Sequence, residues 1–217
     1  MSPKGKIQSI NLNYRALHPV IVLIYGCMRA GKTEQLFHQI ENALQQLGKR
    51  RVVIFKPYLD DRTGSEIRSR AFDHSYEAHV IKKPEEVFDH DLDPSSLVIF
   101  DELQFYPKGI TSVAEELCGR GHTIIAAGLD KKHDGSPFLS TEAMAKIAPL
   151  HIHLVATCHG LNMTCENGAT NSFRKSANEA DFEIGDDSYD SLCEDCFERA
   201  MIAHGRRTVT DRTIIAA

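Results

Sequence analysis

One segment of the chain reads Gly26-Cys-Met-Arg-Ala-Gly31-Lys32-Thr33. It fits the pattern G-x-x-x-x-G-K-[ST], in which backbone N–H groups surround phosphates, a lysine reaches the β and γ oxygens, and a hydroxyl ligates Mg²⁺. The short apolar run Val20–Tyr25 precedes it and a helical pattern follows it, as a phosphate loop at a helix N-terminus requires. A chance glycine turn before a helix is the alternative, and both flanking elements argue against it.

Further apolar runs and helical patterns continue outward from this loop. Short runs typical of strands buried on both faces lie at Arg51–Phe55, Leu97–Phe100 and Thr123–Ala127. Apolar residues recur at helical spacing in Thr33–Leu47, before Gly48, and in Gly109–Cys118, before Gly119. Strands that alternate with helices predict an α/β fold with a parallel sheet.

Two carboxylates follow the run Leu97–Phe100. A phosphate loop that binds ATP needs a second Mg²⁺ ligand at the end of a neighbouring strand, and Asp101 supplies it. Glu102 leaves the strand in another direction, which makes it the candidate general base. The alternative, that both residues cap the next helix, loses weight beside the phosphate loop.

Composition limits the partners of the chain. Its 217 residues are 42% hydrophobic and 25% charged, with 25 basic and 30 acidic residues and a net charge of −5. We therefore expect a globular protein that binds neither nucleic acid nor a membrane surface. The longest apolar run is far shorter than the ~20 residues of a membrane span, and Met1–Pro19 lacks the apolar core of a signal peptide, so we expect a cytoplasmic protein.

Four of the six cysteines lie between Cys158 and Cys196. The pair Cys193-Glu-Asp-Cys196 has the spacing of half a tetrahedral zinc site, and Cys158 and Cys165 are expected to supply the other half. Four reduced buried thiols, or a disulfide, are the alternatives. Because six residues separate Cys158 from Cys165, His159 as a ligand, or a missing ligand, also stays open. The remaining two, Cys27 and Cys118, are expected to be packing residues.

The strand and helix alternation ends near residue 150, which suggests four segments. We expect a leader over residues 1–19, an ATP-binding core over 20–150, a smaller metal-bearing domain over 151–203 and a tail over 204–217.

Taken together, the motifs resemble thymidine kinases of the cellular and poxviral type. They comprise the phosphate loop, Lys56-Pro57-x-x-Asp60-x-Arg62, Asp101-Glu102-x-Gln104-Phe105, Gly128-Leu129-Asp130 with Pro137-Phe138, and Ile184-Gly185-x-x-x-Tyr189. The resemblance implies a RecA-like P-loop sheet joined to a small zinc-binding domain, whose lasso loop closes over the nucleoside. It also implies transfer of the γ-phosphate of ATP to the 5′-hydroxyl of thymidine, and a homotetramer.

The resemblance assigns roles to matching positions. Glu102 would accept the proton of the 5′-hydroxyl, and Arg62 would steady the transferred phosphate. ATP and Mg²⁺ would be bound by Gly26, Met28, Gly31, Lys32, Thr33, Asp101 and Gln104. The nucleoside would be bound by Met28, Phe105, Leu129, His133, Ser172, Arg174, Ile184, Gly185 and Tyr189. Structural Zn²⁺ would be bound by Cys158, Cys165, Cys193 and Cys196.

Several positions depart from the family pattern. Cys27 and Arg29 stand where the family has proline and an aromatic or aliphatic residue, so Arg29 is expected to alter ATP contacts or to meet an acidic neighbour. His133 replaces a phenylalanine that packs against the base, and Ser172 replaces a threonine. These changes favour a pocket that also admits another pyrimidine. Because one methyl group seldom gives more than about 1–3 kcal/mol of discrimination, thymidine itself is still expected to be a substrate.

Three rival functions stay open at this point. One is a kinase for a modified pyrimidine nucleoside. Another is a RecA-like ATPase that acts on nucleic acid through a zinc ribbon, against which the acidic composition argues. The third is an inactive homologue that senses nucleoside triphosphate, against which the intact Lys32, Asp101 and Glu102 argue.

Overall fold

The structure is a computed structural model that describes residues 12–60, 63–69, 71–160, 165–176 and 188–206. Contacts between residues divide the chain into two units. The first comprises the described residues of Met1–Tyr25, Gly31–Asp130 and Phe138–Leu154. The second comprises those of Gly26–Ala30, Lys131–Pro137 and Val155–Ala217.

The first unit is built on a six-stranded sheet. Its elements are β1 (Ile21–Gly26), α1 (Lys32–Leu47), β2 (Val52–Pro57), β3 (Glu66–Arg68), β4 (Ser75–Glu77), β5 (His79–Ile81), β6 (Leu97–Phe100), α2 (Ile110–Gly119), β7 (Thr123–Gly128), α3 (Leu139–Ile147) and β8 (Leu150–Leu154). Short 3₁₀ helices cover Lys49–Arg51, Pro84–Asp89 and Leu103–Phe105. The strand order is β5-β2-β6-β7-β1-β8, and β3 and β4 form a separate antiparallel pair.

Parallel pairing joins β5 to β2, β2 to β6, β6 to β7 and β7 to β1. All four side chains of β6 are buried, as expected for a strand covered on both faces. Parallel strands end at the same edge of a sheet, so β1, β2, β6 and β7 all end at one edge. The predicted parallel α/β sheet is confirmed.

Helices cover both faces of this sheet. One core cluster contains the apolar side of α1, formed by Leu36, Phe37, Ile40 and Ala43. The other contains the apolar side of α2, formed by Ile110, Val113, Ala114 and Leu117. Both helices lie within one residue of their predicted bounds. Strand β2 runs two residues beyond the predicted apolar run, because Lys56 and Pro57 continue the pairing with β5, a neighbour that the apolar pattern did not identify.

Residues 12–17, within the segment predicted as a leader, pack on α1. Tyr14 is buried, and its hydroxyl donates to Gln39 Oε1 at 2.6 Å. Burial raises the pKa of Tyr14. The side-chain amide of Asn42 donates to the carbonyl of Leu12 at 2.7 Å. This segment therefore contributes to the core of the first unit, while residues 1–11 lie outside the described chain.

The second unit is small and mainly antiparallel. Its elements are β9 (Ala156–Thr157), β10 (Gly168–Ala169), β11 (Asn171–Arg174), β12 (Tyr189–Leu192) and α4 (Glu194–Ala203). Strand β9 pairs with β10 and β11 pairs with β12, both antiparallel. The buried apolar residues near α4 are Phe173, Leu192, Phe197, Ala200 and Met201. Arg206, in the predicted tail, donates to the carbonyl of Arg174 at 2.8 Å.

Within the described ranges, every helix is too short or too polar to cross a bilayer.

Acid is expected to destabilise the first unit through His122. This side chain is 7% exposed, and its Nδ1 accepts a hydrogen bond from the amide of Ser96 at 3.2 Å. Burial, followed by the charge of Arg120, lowers the pKa of His122. The unfolded chain therefore binds a proton more readily than the folded one. The stabilisation is complete above the unfolded pKa of about 6.5 and is lost as the pH falls below it through the lower folded pKa.

Thermal unfolding measured between pH 7.5 and 5.5 checks this expectation. The melting temperature should fall towards acid, and His122→Asn, whose Oδ1 is a neutral acceptor, should flatten part of that fall. The exposed His18→Asn is the control. A slope that is the same in wild type and His122→Asn contradicts the assignment.

Candidate active site

The phosphate loop is divided between the two units. Gly31 has a φ of 88°, a conformation that glycine adopts without strain, and it stands directly before α1. No side chain of the described residues caps this helix start by a hydrogen bond. The first N–H groups of α1, with Lys32 and Thr33, are therefore suited to binding an anion. Residues 26–30 belong to the second unit.

Asp101 continues directly from β6 at the edge where the parallel strands end. Its amide donates to the carbonyl of Phe55 at 3.0 Å, which extends the pairing between β6 and β2. Its carboxylate is nearly buried and accepts a hydrogen bond from the amide of Glu102 at 2.9 Å. Lys32 and Thr33 follow β1 at the same edge of the first unit. The start of α1 and Asp101 therefore both lie at this edge of the sheet.

Glu102 has an unusual backbone. Its φ of 51° and ψ of 46° lie in the left-handed region, which a residue with a side chain enters at a cost of about 1–3 kcal/mol. Such conformations persist only where the surroundings determine them, and they cluster at functional sites. The side chain of Glu102 is half-buried, at the start of the 3₁₀ helix Leu103–Phe105. This conformation turns the chain sharply between the two carboxylates.

Gln104 connects Glu102 to the end of β7. Its Nε2 donates to Glu102 Oε2, and its Oε1 accepts from the amide of Leu129 at 2.9 Å. A side chain at Gly128 would come within 2.7 Å of the Leu103 side chain, so glycine is required for this approach. The resemblance placed Gln104 among the ATP ligands. The structure shows that Gln104 also binds the predicted general base, a contact that sequence reasoning missed.

A buried tyrosine lies near the same carboxylates. Tyr106 is 5% exposed, and its hydroxyl has no hydrogen-bond partner among the described residues. Burial, followed by the charges of Asp101, Asp60 and Glu102, raises the pKa of Tyr106 well above its usual value. The hydroxyl therefore remains a proton donor beside a cluster of negative charge. Sequence reasoning did not single it out, because tyrosine after Phe105 reads as another apolar residue.

A buried ion pair orders the start of the segment that carries Arg62. Lys56 is fully buried, and its Nζ lies 3.0 Å from Asp60 Oδ2 and 2.9 Å from Thr63 Oγ1. A charge as deeply buried as Lys56 needs such partners. Arg62 itself lies outside the described residues.

In the second unit, the structure brings Met28 and Ser172 together. The amide of Met28 donates to Ser172 Oγ at 2.9 Å, and Ser172 is buried. Arg174 and Tyr189 are opposite residues in the pairing of β11 with β12. The resemblance places Ser172 beside the base, and its hydroxyl also binds the phosphate loop. Ile184 and Gly185 lie outside the described residues.

Two departures from the family pattern also lie in this unit. Arg29 does meet an acidic neighbour, since its Nη1 lies 3.8 Å from Asp190 Oδ1. His133 is half-buried in the segment 131–137. Burial, followed by the charge of Arg174, lowers the pKa of His133. A neutral imidazole is therefore favoured at the position where the family has phenylalanine.

The four clustered cysteines converge as expected. The sulfurs of Cys158, Cys165, Cys193 and Cys196 all lie within 4.8 Å of one another, and the Cys165 and Cys193 sulfurs are 3.8 Å apart. Zn–S bonds of about 2.3 Å in a tetrahedron place sulfurs about 3.8 Å apart. The residues therefore fit a structural zinc ion. His159 does not belong to the cluster, and its amide donates to the carbonyl of Ser191 at 2.9 Å.

The thiols of this cluster differ in acidity. Burial works against ionisation of Cys193, but hydrogen bonds from the Cys196 amide and the neighbouring thiols lower its pKa to about 7. Burial, with the neighbouring thiols, raises the pKa of Cys196 to about 12. The cluster therefore favours a thiolate at Cys193, and a divalent cation would favour ionisation of the other thiols.

Comparisons with known proteins agree with the resemblance. A family model described as thymidine kinase matches residues 19–197. The chain is similar to a thymidine kinase of Pseudothermotoga lettingae, with 28% identity over 180 residues that cover 82% of this chain and 95% of the relative.

Two solved structures of other proteins are distantly similar. The RuvB Holliday junction branch migration motor of Thermotoga maritima has a TM-score of 0.36 and 15% identity over 62% of this chain and 37% of its own. The ATPase DotB of Legionella pneumophila has a TM-score of 0.39 and 14% identity over 67% of this chain and 43% of its own. The chain thus spans less than half the length of either protein.

Proposed function

Since the chain belongs to the thymidine kinase family and is therefore a nucleoside kinase, we propose that it transfers the γ-phosphate of ATP to the 5′-hydroxyl of thymidine. One observation carries this proposal. The start of α1, with Lys32 and Thr33, and the Asp101–Glu102 pair lie at the same edge of the parallel sheet, where β1 and β6 end. Phosphoryl transfer needs this combination of an anion-binding helix start, a carboxylate for a cation and a second carboxylate for a proton.

The residues of the first unit have distinct roles in this reaction. Lys32 and the N–H groups of α1 bind the triphosphate, and the Thr33 hydroxyl and the Asp101 carboxylate are the oxygen ligands that suit Mg²⁺. When bound, Mg²⁺ would neutralise part of the negative charge on the β- and γ-phosphates. Glu102, oriented by Gln104, accepts the proton of the 5′-hydroxyl, and Arg62 steadies the transferred phosphate.

The nucleoside-binding residues keep the roles that the resemblance implies. They are Phe105 and Leu129 in the first unit, and Met28, His133, Ser172, Arg174, Ile184, Gly185 and Tyr189. The four thiols of the cysteine cluster would hold Zn²⁺ and leave no open position on it, so the ion would stabilise structure rather than activate water. A cytoplasmic homotetramer remains a prediction, which size measurement and fractionation test.

A nucleoside panel tests the reaction and the substrate separately. Purified protein with ATP and Mg²⁺ should convert thymidine to thymidine monophosphate, and reactions without Mg²⁺ or without ATP are the controls. Product from another pyrimidine nucleoside alone overturns the substrate and keeps the reaction class. Absence of product from every nucleoside overturns the reaction, and ATP hydrolysis stimulated by single-stranded nucleic acid would favour the remodelling ATPase instead.

A modified pyrimidine is the second candidate substrate, and His133 is the observation that favours it. An imidazole offers a hydrogen-bonding nitrogen where a phenylalanine offers only an apolar face. We expect His133→Phe to raise kcat/KM for thymidine about tenfold relative to pyrimidines with a polar 5-substituent. The ratio of kcat/KM values on paired substrates measures this effect. An unchanged ratio contradicts a role of His133 in base selection.

A further inference from the structure

The middle of the phosphate loop is bound by the strands of the second unit. The Cys27 thiol donates to the carbonyl of Ala169 at 3.1 Å. The Met28 amide donates to Ser172 Oγ at 2.9 Å, and Ser191 Oγ donates to the Met28 carbonyl at 2.7 Å. Three consecutive loop residues, Cys27, Met28 and Arg29, thus contact β10, β11 or β12.

The two serines act as a pair because of strand register. Ser172 and Ser191 are directly opposite each other in the antiparallel pairing of β11 with β12. Opposite residues project their side chains from the same face of a sheet. One hydroxyl therefore binds the N–H and the other the C=O of a single residue, Met28. Both serines are buried, at 3% and 0% exposure, so water does not compete for these bonds.

The next loop residue is also held in an unusual conformation. Arg29 has a φ of 61°, in the left-handed region that L residues rarely adopt. Its guanidinium lies 3.8 Å from Asp190, the residue before Ser191 in β12. The same carboxylate lies 3.8 Å from Lys175 Nζ. Neighbouring residues of one strand thus hold both the backbone of Met28 and the side chain of Arg29.

A phosphate loop binds through backbone N–H groups that must point at the ligand together. Loop residues that are already ordered lose less conformational entropy when the ligand binds. Contacts that hold Met28 and Arg29 in one conformation should therefore strengthen nucleotide binding without touching the nucleotide.

We propose that Ser191 is a positioning residue for ATP. With Ser172, it holds the Met28 peptide groups and keeps the first half of the phosphate loop in its binding conformation. The β11/β12 pair, which the resemblance connects with the nucleoside and zinc, thereby also sets the affinity for the triphosphate. This inference rests on the proposed function.

The position of Ser191 is itself tied to the cysteine cluster. Its carbonyl accepts a hydrogen bond from the amide of His159, the residue after Cys158, and Cys193 lies two residues further along the chain. The Cys193 amide donates to the Cys158 sulfur at 3.1 Å. Loosening the cluster should therefore also loosen the hold of Ser191 on the loop.

Ser191→Ala tests the proposal, with Ser96→Ala as a matched control. Ser96 is likewise fully buried, and its hydroxyl also donates to a backbone carbonyl, that of Asp93, at the start of β6. Removing a hydrogen bond from a buried carbonyl should weaken binding of Mg-ATP in Ser191→Ala about tenfold. The KM for ATP should rise equally, and by a larger factor than the KM for thymidine. Ser96→Ala should lose similar thermal stability and no ATP affinity.

Calorimetry of Mg-ATP binding without nucleoside gives the decisive comparison. Ser172→Ala removes the other bond to Met28 and should weaken ATP binding by a similar factor in that assay. Wild-type ATP affinity in folded Ser191→Ala and Ser172→Ala overturns the inference, while thymidine phosphorylation by the wild type upholds the proposed function. Equal losses of ATP and thymidine affinity in Ser191→Ala also overturn it, because they indicate general destabilisation. A wild type that binds no ATP overturns the proposed function and this inference with it.

Discussion

Glu102→Gln is expected to lower the turnover of thymidine at least about 100-fold, the usual contribution of a positioned general base. The amide keeps the size of the side chain and an oxygen that can accept from Gln104 Nε2, as Glu102 does. The local geometry should therefore survive while the ability to accept a proton is lost. Binding of Mg-ATP should stay nearly intact. Single-turnover rates and calorimetric ATP binding measure the two quantities separately.

Glu115→Gln is a suitable control, because Glu115 is an exposed residue of α2 in the same unit. The Glu115→Gln variant should phosphorylate thymidine at the wild-type rate. Unchanged turnover in Glu102→Gln removes Glu102 from the role of base. A loss of ATP affinity as large as the loss of turnover would instead place Glu102 in nucleotide binding.

Loss of the metal is expected to have the largest effect on stability. The second unit has a small apolar core, and units of this size usually need a metal or another crosslink to fold. Structural zinc contributes about 10–16 kcal/mol in zinc-finger peptides. Cys193→Ser should therefore abolish stoichiometric zinc binding and lower the melting temperature by more than about 10 °C. Metal analysis and thermal unfolding check both expectations.

Cys118→Ser provides the matched control. Cys118 is a half-buried thiol of α2, outside the cluster, and its substitution should leave about one zinc ion per chain. Hydrogen exchange should show the loss of protection in Cys193→Ser confined at first to β11, β12 and α4. Wild-type protein without zinc, or Cys193→Ser with full zinc and an unchanged melting temperature, contradicts the assignment.

Local sequence patterns were sufficient for the phosphate loop and for β1, β2, β6 and β7, the four central strands of the sheet. Apolar runs such as Leu97–Phe100 and the helical spacing in Thr33–Leu47 depend only on near neighbours, and each predicted its element to within a residue or two. The positive φ of Gly31 is likewise a local requirement. From these, the position of Asp101 at the carboxyl edge of a parallel sheet follows directly.

The same local patterns could not predict contacts between residues that are far apart in the chain. Gln104 binds Leu129 across 25 positions of the chain, and Ser191 binds Met28 across 163. Tyr106 appeared to be an ordinary apolar residue until the fold placed charges near its hydroxyl. The spacing of the cysteines left open which residues complete the site of Cys193 and Cys196. The structure places the Cys158 and Cys165 sulfurs beside them.

Local patterns thus predicted the family, the four central parallel strands and the residues that follow them, because helical period, strand burial and glycine torsion are properties of adjacent residues. Only folding over long distances brought Gln104 to Leu129, and the facing hydroxyls of Ser172 and Ser191 to Met28. Such contacts depend on strand register and on which distant segments of the chain pack together. Neither can be predicted from the residues that adjoin a contact in the sequence.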